Sequence, residues 1–208
     1  MTVAADVVVR GRRRFLGLSV GVVGTALVGG TVGACGTDDS AAEPTDVDIG
    51  FLTDMSAHHG QALVLCQRVL GRDVGTPVTA AAAEVLQNQS IELGMMRAWL
   101  TDWGQSTAPP DTVMAWMHIG GGMPLAEMHG LASEAELAEL SQLDGLAQGR
   151  YWLELMSAHH EGGVAMATAA ARLASSEKVV RLAENQAAVQ TFEIEQYQQL
   201  LDSAYATV

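Results

Sequence analysis

Aromatic residues make up only 5% of this 208-residue chain, and just two cysteines, Cys35 and Cys66, occur in it. So few thiols supply no disulfide framework, and the stability of the fold has to come from packing. Basic residues are scarce too: eleven Lys and Arg face twenty-four Asp and Glu, a formal charge of −13. Four of the eleven, Arg10, Arg12, Arg13 and Arg14, precede the first apolar run. From Gly36 onward seven basic residues stand against twenty-three acidic ones, a surplus of sixteen negative charges. Such a surface repels phosphate backbones and anionic headgroups, which argues against a nucleic-acid partner, and it concentrates cations. Also missing are a Gly-rich phosphate loop after a strand, a serine nucleophile elbow and any Cys-x-x-Cys pair. What remains is rich in Ala, Leu, Glu, Gln and Met, a helix-forming balance in a chain long enough for one domain with a real core.

The first thirty-five residues read as an address. Arg12-Arg13-Arg14-Phe15-Leu16 is followed by the apolar, Gly-rich run Leu18 to Val32, which ends in Val32-Gly33-Ala34-Cys35. A basic start, a short apolar middle and small residues before a cut site describe an export signal rather than a spanning helix. The Arg pair resembles a twin-arginine signal, and Val-Gly-Ala-Cys resembles a lipobox in which Cys35 is lipidated and becomes the mature N-terminus. The expected location is therefore the extracytoplasmic side of the cell membrane, held by a lipid anchor. Cys66 is then unpaired. Residues 36–46, rich in Gly, Thr, Asp and Ser, are expected to be a flexible tether, with a helical domain over 47–206.

An internal repeat organises that domain. Met55-Ser56-Ala57-His58-His59 recurs as Met156-Ser157-Ala158-His159-His160. The same ungapped offset carries Gln89 onto Gln190, Glu92 onto Glu193 and Leu100 onto Leu201, which marks a duplicated unit. In each copy a first helix carries an inner stripe at spacings of three and four, through Leu52, Met55, His59, Ala62, Cys66 and Val69 and through Leu153, Met156, His160, Gly163 and Ala167. Breaks at Gly71 to Pro77 and near Ser175-Ser176 separate it from a second helix. Ser133 with Glu136 reads as a capping box for a short extra helix after the Gly/Pro-punctuated, Met-rich stretch Gln105 to Leu131. The expected fold is all-α, a four-helix bundle of two hairpins joined by a Met-rich crossover.

His59 and His160 fall on the inner seam, with His58 and His159 about 100° round the helix, and Glu92 and Glu193 share faces with Gln89 and Gln190. Polar groups in such a seam need partners, since each unpaired one costs about 1–3 kcal/mol. Three readings supply them. The imidazoles can bind a transition metal, with carboxylates as ligands or orienters. They can form a dinuclear redox centre with Glu92 and Glu193, which would make the chain an enzyme. Or the carboxylates simply accept from imidazole N–H groups and fix helix register. Di-iron bundles use Glu-x-x-His; here the spacing is Met55-x-x-His58 and Met156-x-x-His159, and a thioether in place of a carboxylate favours copper, as Cu(I), or silver. Met117, His118, Met128 and His129 in the crossover add soft donors, although Met is also a common filler of core gaps.

The stretch Leu153 to Ala167, containing Met156-Ser157-Ala158-His159-His160-Glu161-Gly162, resembles the hallmark of the domain of unknown function 305 family. The Met55 to His59 copy resembles it too, and Met123-Pro124 through Leu140 looks like that family's Met-rich connector and following helix. The resemblance spans roughly Val47 to Ala204. It implies a ferritin-like four-helix bundle, usually secreted, with some members tied to copper or silver binding. Its motif positions here are His58, His59, His159 and His160, with Met55, Met156 and Met128 alongside. Two departures stand out: Gly60-Gln61 replaces the usual Glu-Gly, and Leu131 sits where the connector often has Met.

Overall fold

The computed structural model describes residues 43–117 and 121–208. The twin-arginine-like stretch, Cys35, tether residues 36–42 and His118 lie outside the described residues. Among the described residues the chain is mostly helical. Its helices are α1 (Asp46–Val69), α2 (Thr76–Asp102), α3 (Glu134–Gln142), α4 (Gly145–Leu173) and α5 (Glu177–Leu201). None of them is long and apolar enough to cross a membrane.

Helix α1 starts one residue before the expected boundary because Thr45 caps it: Thr45 and Asp48 form a capping box. Asp48 also accepts from the amides of Ser175 and Ser176 through its other oxygen, tying the start of α1 to the turn between α4 and α5. The Ser133–Glu136 capping box opens α3 as its spacing indicates. Helix α1 ends ahead of Gly71 and α4 ahead of Ser175 as expected, but α2 starts at Thr76, inside the expected break, with Pro77 in its first turn, where its missing N–H costs no helical bond. Helices α1 and α2 pack as one hairpin, α4 and α5 as the other, and α1 against α4 joins them; α2 and α5 share no comparable packing.

The crossover between the hairpins is not all loop. Thr112–Val113 and Met123–Pro124 pair as two short antiparallel strands, β1 and β2, with single helical turns at Ala115–Met117 and Leu125–Glu127. It is anchored to α1 by the buried Asp54, whose carboxylate accepts from the Met114 amide at 2.7 Å and from the Trp116 indole at 2.8 Å. Trp116 packs edge-on against Phe51. At the other end Gln61 accepts from the Ala132 amide and donates to its carbonyl, so the departure from Glu-Gly at positions 60–61 serves to hold the crossover.

The core has three layers along the helices. One apolar cluster holds Leu65, Val69, Val78, Val85, Trp152, Met156 and Tyr197. A second holds Phe51, Leu52, Met55, Met96, Leu100, Met114, Met128 and Met166, with Met95, Met117 and Met123 packed against it. Between them α1, α2, α4 and α5 each contribute buried polar residues. Trp152 wedges between helices, meeting Tyr197 edge-on. Trp99 and Trp103 instead clasp the Lys178 ammonium, at 4.8 and 4.4 Å.

Candidate metal centre

The polar layer consists of His58 and His59 from α1, Gln89 and Glu92 from α2, His159 and His160 from α4, and Gln186, Gln190 and Glu193 from α5. All four imidazoles are fully buried, while the Glu92 and Glu193 side chains keep 18% and 15% exposure. The residues arrive together because the duplicated hairpins meet along α1 and α4, bringing the matching His-His pairs into contact. The rings of His58 and His159 stack with centroids 3.7 Å apart and planes tilted by 34°.

His59 and His160 each meet the carboxylate thirty-three residues on. His59 Nε2 lies 2.7 Å from Glu92 Oε2, and His160 Nε2 lies 2.6 Å from Glu193 Oε2. An ionised carboxylate only accepts, so Nε2 carries the proton in both pairs and a neutral ring keeps its lone pair on Nδ1. His159 Nε2 donates to the His58 carbonyl at 3.0 Å, which places its lone pair on Nδ1 as well. Gln186 Nε2 donates to Glu92 at 2.9 Å, so that carboxylate oxygen accepts from two elements.

What the layer lacks is equally telling. The Nδ1 atoms of all four histidines, Nε2 of His58, and Oε1 of Gln89, Gln186 and Gln190 are buried without a hydrogen-bond partner. Elsewhere among the described residues only Gln148 Oε1 and Trp152 Nε1 share that condition. Buried polar atoms are normally satisfied, so their concentration in one layer calls for an explanation. Burial, and secondarily the neighbouring imidazoles, hold His58 well below the usual histidine range, outweighing the His129 backbone, which approaches the ring without reaching hydrogen-bond geometry. His159 is lowered in the same way, first by burial and then by His160. Both rings therefore stay neutral at pH 7, with lone pairs free to bind a cation.

The arrangement is not a ready-made coordination sphere. Among the described residues no three of His, Cys, Asp and Glu already converge on one point. Of the expected donors, the four histidines, Glu92 and Glu193 come together in the layer. Met55 lies in the apolar cluster on one side and Met156 in the cluster on the other. Met128 is buried, and Met117 half-buried, with Met55. The His129 side chain is exposed. Cys66 is buried, its thiol pushed up to about 12 first by burial and then by Glu193, which leaves it a protonated packing residue.

Sequence reasoning passed over Gln186. The available signal was its position one turn before Gln190, where the repeat places Val85 in the first copy. Two glycines were also undervalued. A Cβ at Gly162 would strike the His129 carbonyl, and one at Gly163 would strike the Gln190 carboxamide. These glycines let the crossover and α5 close over the layer.

The profile of the family described as Domain of unknown function (DUF305) matches residues 48–201. The structure is similar to a DUF305 protein from Streptomyces coelicolor named as a secreted protein, at 35% identity and a TM-score of 0.69, over 75% of this chain and 92% of that one. It is also similar to a DUF305 fragment from Deinococcus radiodurans, at 34% identity and a TM-score of 0.64, over 76% of this chain and 97% of that one. CopM in its Cu(I)-bound form shares the fold at 20% identity and a TM-score of 0.58, over 76% of this chain and 97% of CopM. No curated protein matches. The chain belongs to the DUF305 family.

Proposed function

We propose that this DUF305 chain is an exported protein, lipid-anchored through Cys35 on the extracytoplasmic side of the membrane, that sequesters or hands over copper or silver. Its domain acts as a ferritin-like four-helix bundle whose polar layer takes the ion. The observation that carries the reading is the set of unpartnered imidazole nitrogens in that layer, with burial keeping the His58 and His159 rings neutral. Neutral imidazole is a good transition-metal ligand, and a carboxylate on the opposite ring nitrogen is the usual way of orienting it. Glu92 and Glu193 stand in that relation to His59 and His160.

The soft donors set the metal class. Met55 on one side of the layer and Met156 on the other take the places of the carboxylates in a di-iron bundle's Glu-x-x-His, and Met117 and Met128 of the crossover pack in the cluster with Met55. The exposed His129 of the crossover extends the donor set outside the layer, and His118 joins it on the sequence alone. Export fits the signal-like N-terminus and the secreted designation of the Streptomyces coelicolor relative; copper fits the Cu(I) carried by CopM.

The test is metal content and affinity. Protein purified from its own envelope is expected to carry copper in stoichiometric amount and to bind Cu(I) or Ag(I) after stripping. Replacing His58, His59, His159 and His160 together with Ala should abolish binding while circular dichroism still reports helix. Affinity unchanged by that replacement overturns the proposal. Iron or manganese as isolated, with consumption of oxygen or peroxide, would instead favour a dinuclear redox centre at Glu92 and Glu193.

A further inference from the structure

An ion bound by the four imidazoles has to cross a wall of the domain, because all four rings are fully buried. Three of the walls are closed. The α1–α2 and α4–α5 pairs are packed hairpins. The outer side of the α1–α4 contact is covered by the end of the crossover. There Gln61 clamps Ala132, Gly130 presses on the carbonyls of Ala158 and His159, and the His129 carbonyl lies on Gly162.

The fourth wall, between α2 and α5, is loosely packed, crossed at the layer by the Gln186–Glu92 hydrogen bond. A groove of about 830 Å³ runs there, with Glu193 and Tyr197 among its lining residues. Beside it lies a cavity of about 10 Å³, lined by Gln89, Glu92, Gln186, Gln190 and Glu193 among others, with room for roughly one water-sized particle. Groove and cavity share Asn88, Val189 and Glu193. Glu84, Glu92 and Glu193 line the two spaces, and no basic side chain among the described residues does. Two of these acids reach both ways: Glu92 and Glu193 are partly exposed, yet each holds a fully buried imidazole through Oε2.

We propose that the α2/α5 seam is the ion entrance, with Glu92 and Glu193 capturing a cation from solvent and releasing it inward to the unpartnered imidazole nitrogens of the layer. This rests on the metal-binding reading above. The carboxylates draw cations into a mouth of one sign, where low-dielectric walls focus the field. The carboxamides of Gln89, Gln186 and Gln190, whose oxygens lack partners, offer replacement ligands as water is stripped from the ion.

Loading kinetics test the route separately from affinity. Asn88 and Val189 are exposed residues at the mouth and hold no imidazole. In the full chain, Asn88→Trp with Val189→Trp should slow Ag(I) uptake and release in stopped-flow by about tenfold or more, leaving equilibrium affinity within about threefold. Val189→Ala, which widens the mouth, should load at least as fast as the parent, and Gln61→Ala at the crossover should load at the parental rate. Uptake unchanged in the double Trp variant, or faster in Gln61→Ala, overturns the entrance. An unsubstituted protein that binds no Ag(I) or Cu(I) overturns the metal-binding reading itself, an outcome distinguishable from the first two.

Discussion

The two copies of the repeat keep the same histidines, glutamine and glutamate but surround them differently. In the first, Glu92 accepts from His59 and is also held by Gln186, reaching over from α5. The residue that repeats Gln186 in the first copy is Val85, which has nothing to donate, so among the described residues Glu193 accepts from His160 alone. The second site sits instead beside Tyr197, whose ring centroid is 5.6 Å from that of His160 and whose hydroxyl is raised by burial and then by Glu193. Met96 occupies the tyrosine's position in the first copy. Asp54, which anchors the crossover, faces Leu155 in the repeat, and Ala62 faces Gly163. Duplication thus preserved the imidazole–carboxylate pairs, while divergence gave the first copy the anchor of the crossover and the second the tyrosine beside His160.

Swapping residues between the copies should expose that division. The largest effect is expected from Asp54→Leu, which copies Leu155 and strips the acceptor from the Met114 amide and the Trp116 indole. At about 1–3 kcal/mol for each orphaned buried donor, chemical denaturation should show the chain severely destabilised. Leu155→Asp would leave a buried carboxylate with no such donors and should not rescue it. Next come the two glutamates. Glu92→Ala orphans His59 and Gln186, whereas Glu193→Ala orphans only His160, so the first should cost about 1–3 kcal/mol more than the second. Equal costs would show that Gln186 contributes nothing to the first site.

Acid should act on the pair the copies share. Burial puts the folded-state pKa of His58 and His159 below the ordinary value of 6.5, so the folded chain binds fewer protons than the unfolded one. Their contribution to stability is complete above about pH 6.5 and lost as pH falls, by up to about 1.4 kcal/mol per pH unit for each ring. Thermal unfolding across pH 4.5–8 should show that slope, flattened in His58→Gln with His159→Gln. The smallest effects lie at the Ala62/Gly163 pair. Gly163→Ala pushes a Cβ into the Gln190 carboxamide and should cost about 1–3 kcal/mol, while Ala62→Gly should cost about 0.5–1 kcal/mol.

Much of this was legible in the residues. The helices and their breaks followed from the three-four stripe and from Gly71 and Ser175, because periodicity and chain breakers are local signals, whereas Pro77 opens α2 instead of ending the break. The repeat placed the imidazoles and carboxylates on facing helices, since duplication carries register with it. Asp54 was visible only as a residue one turn from His58; its work depends on Trp116, sixty-two residues away, and no local pattern reports such a partner. The β1–β2 pairing is two residues long, too short for alternation to show. Gln186 was hidden because it departs from the repeat rather than repeating. The spread of methionines, Met156 in one cluster and most of the others in the second, is a property of packing that spacing alone does not separate.

The central claim is that the imidazoles of the polar layer bind the metal. The most direct measurement is X-ray absorption at the copper edge on the intact chain loaded with one equivalent of Cu(I). Nitrogen scatterers from imidazole, joined by sulfur from thioether, are expected in the first shell, and should disappear when His58, His59, His159 and His160 are all replaced. A first shell of oxygen alone, or one that survives the loss of those four histidines, would contradict it.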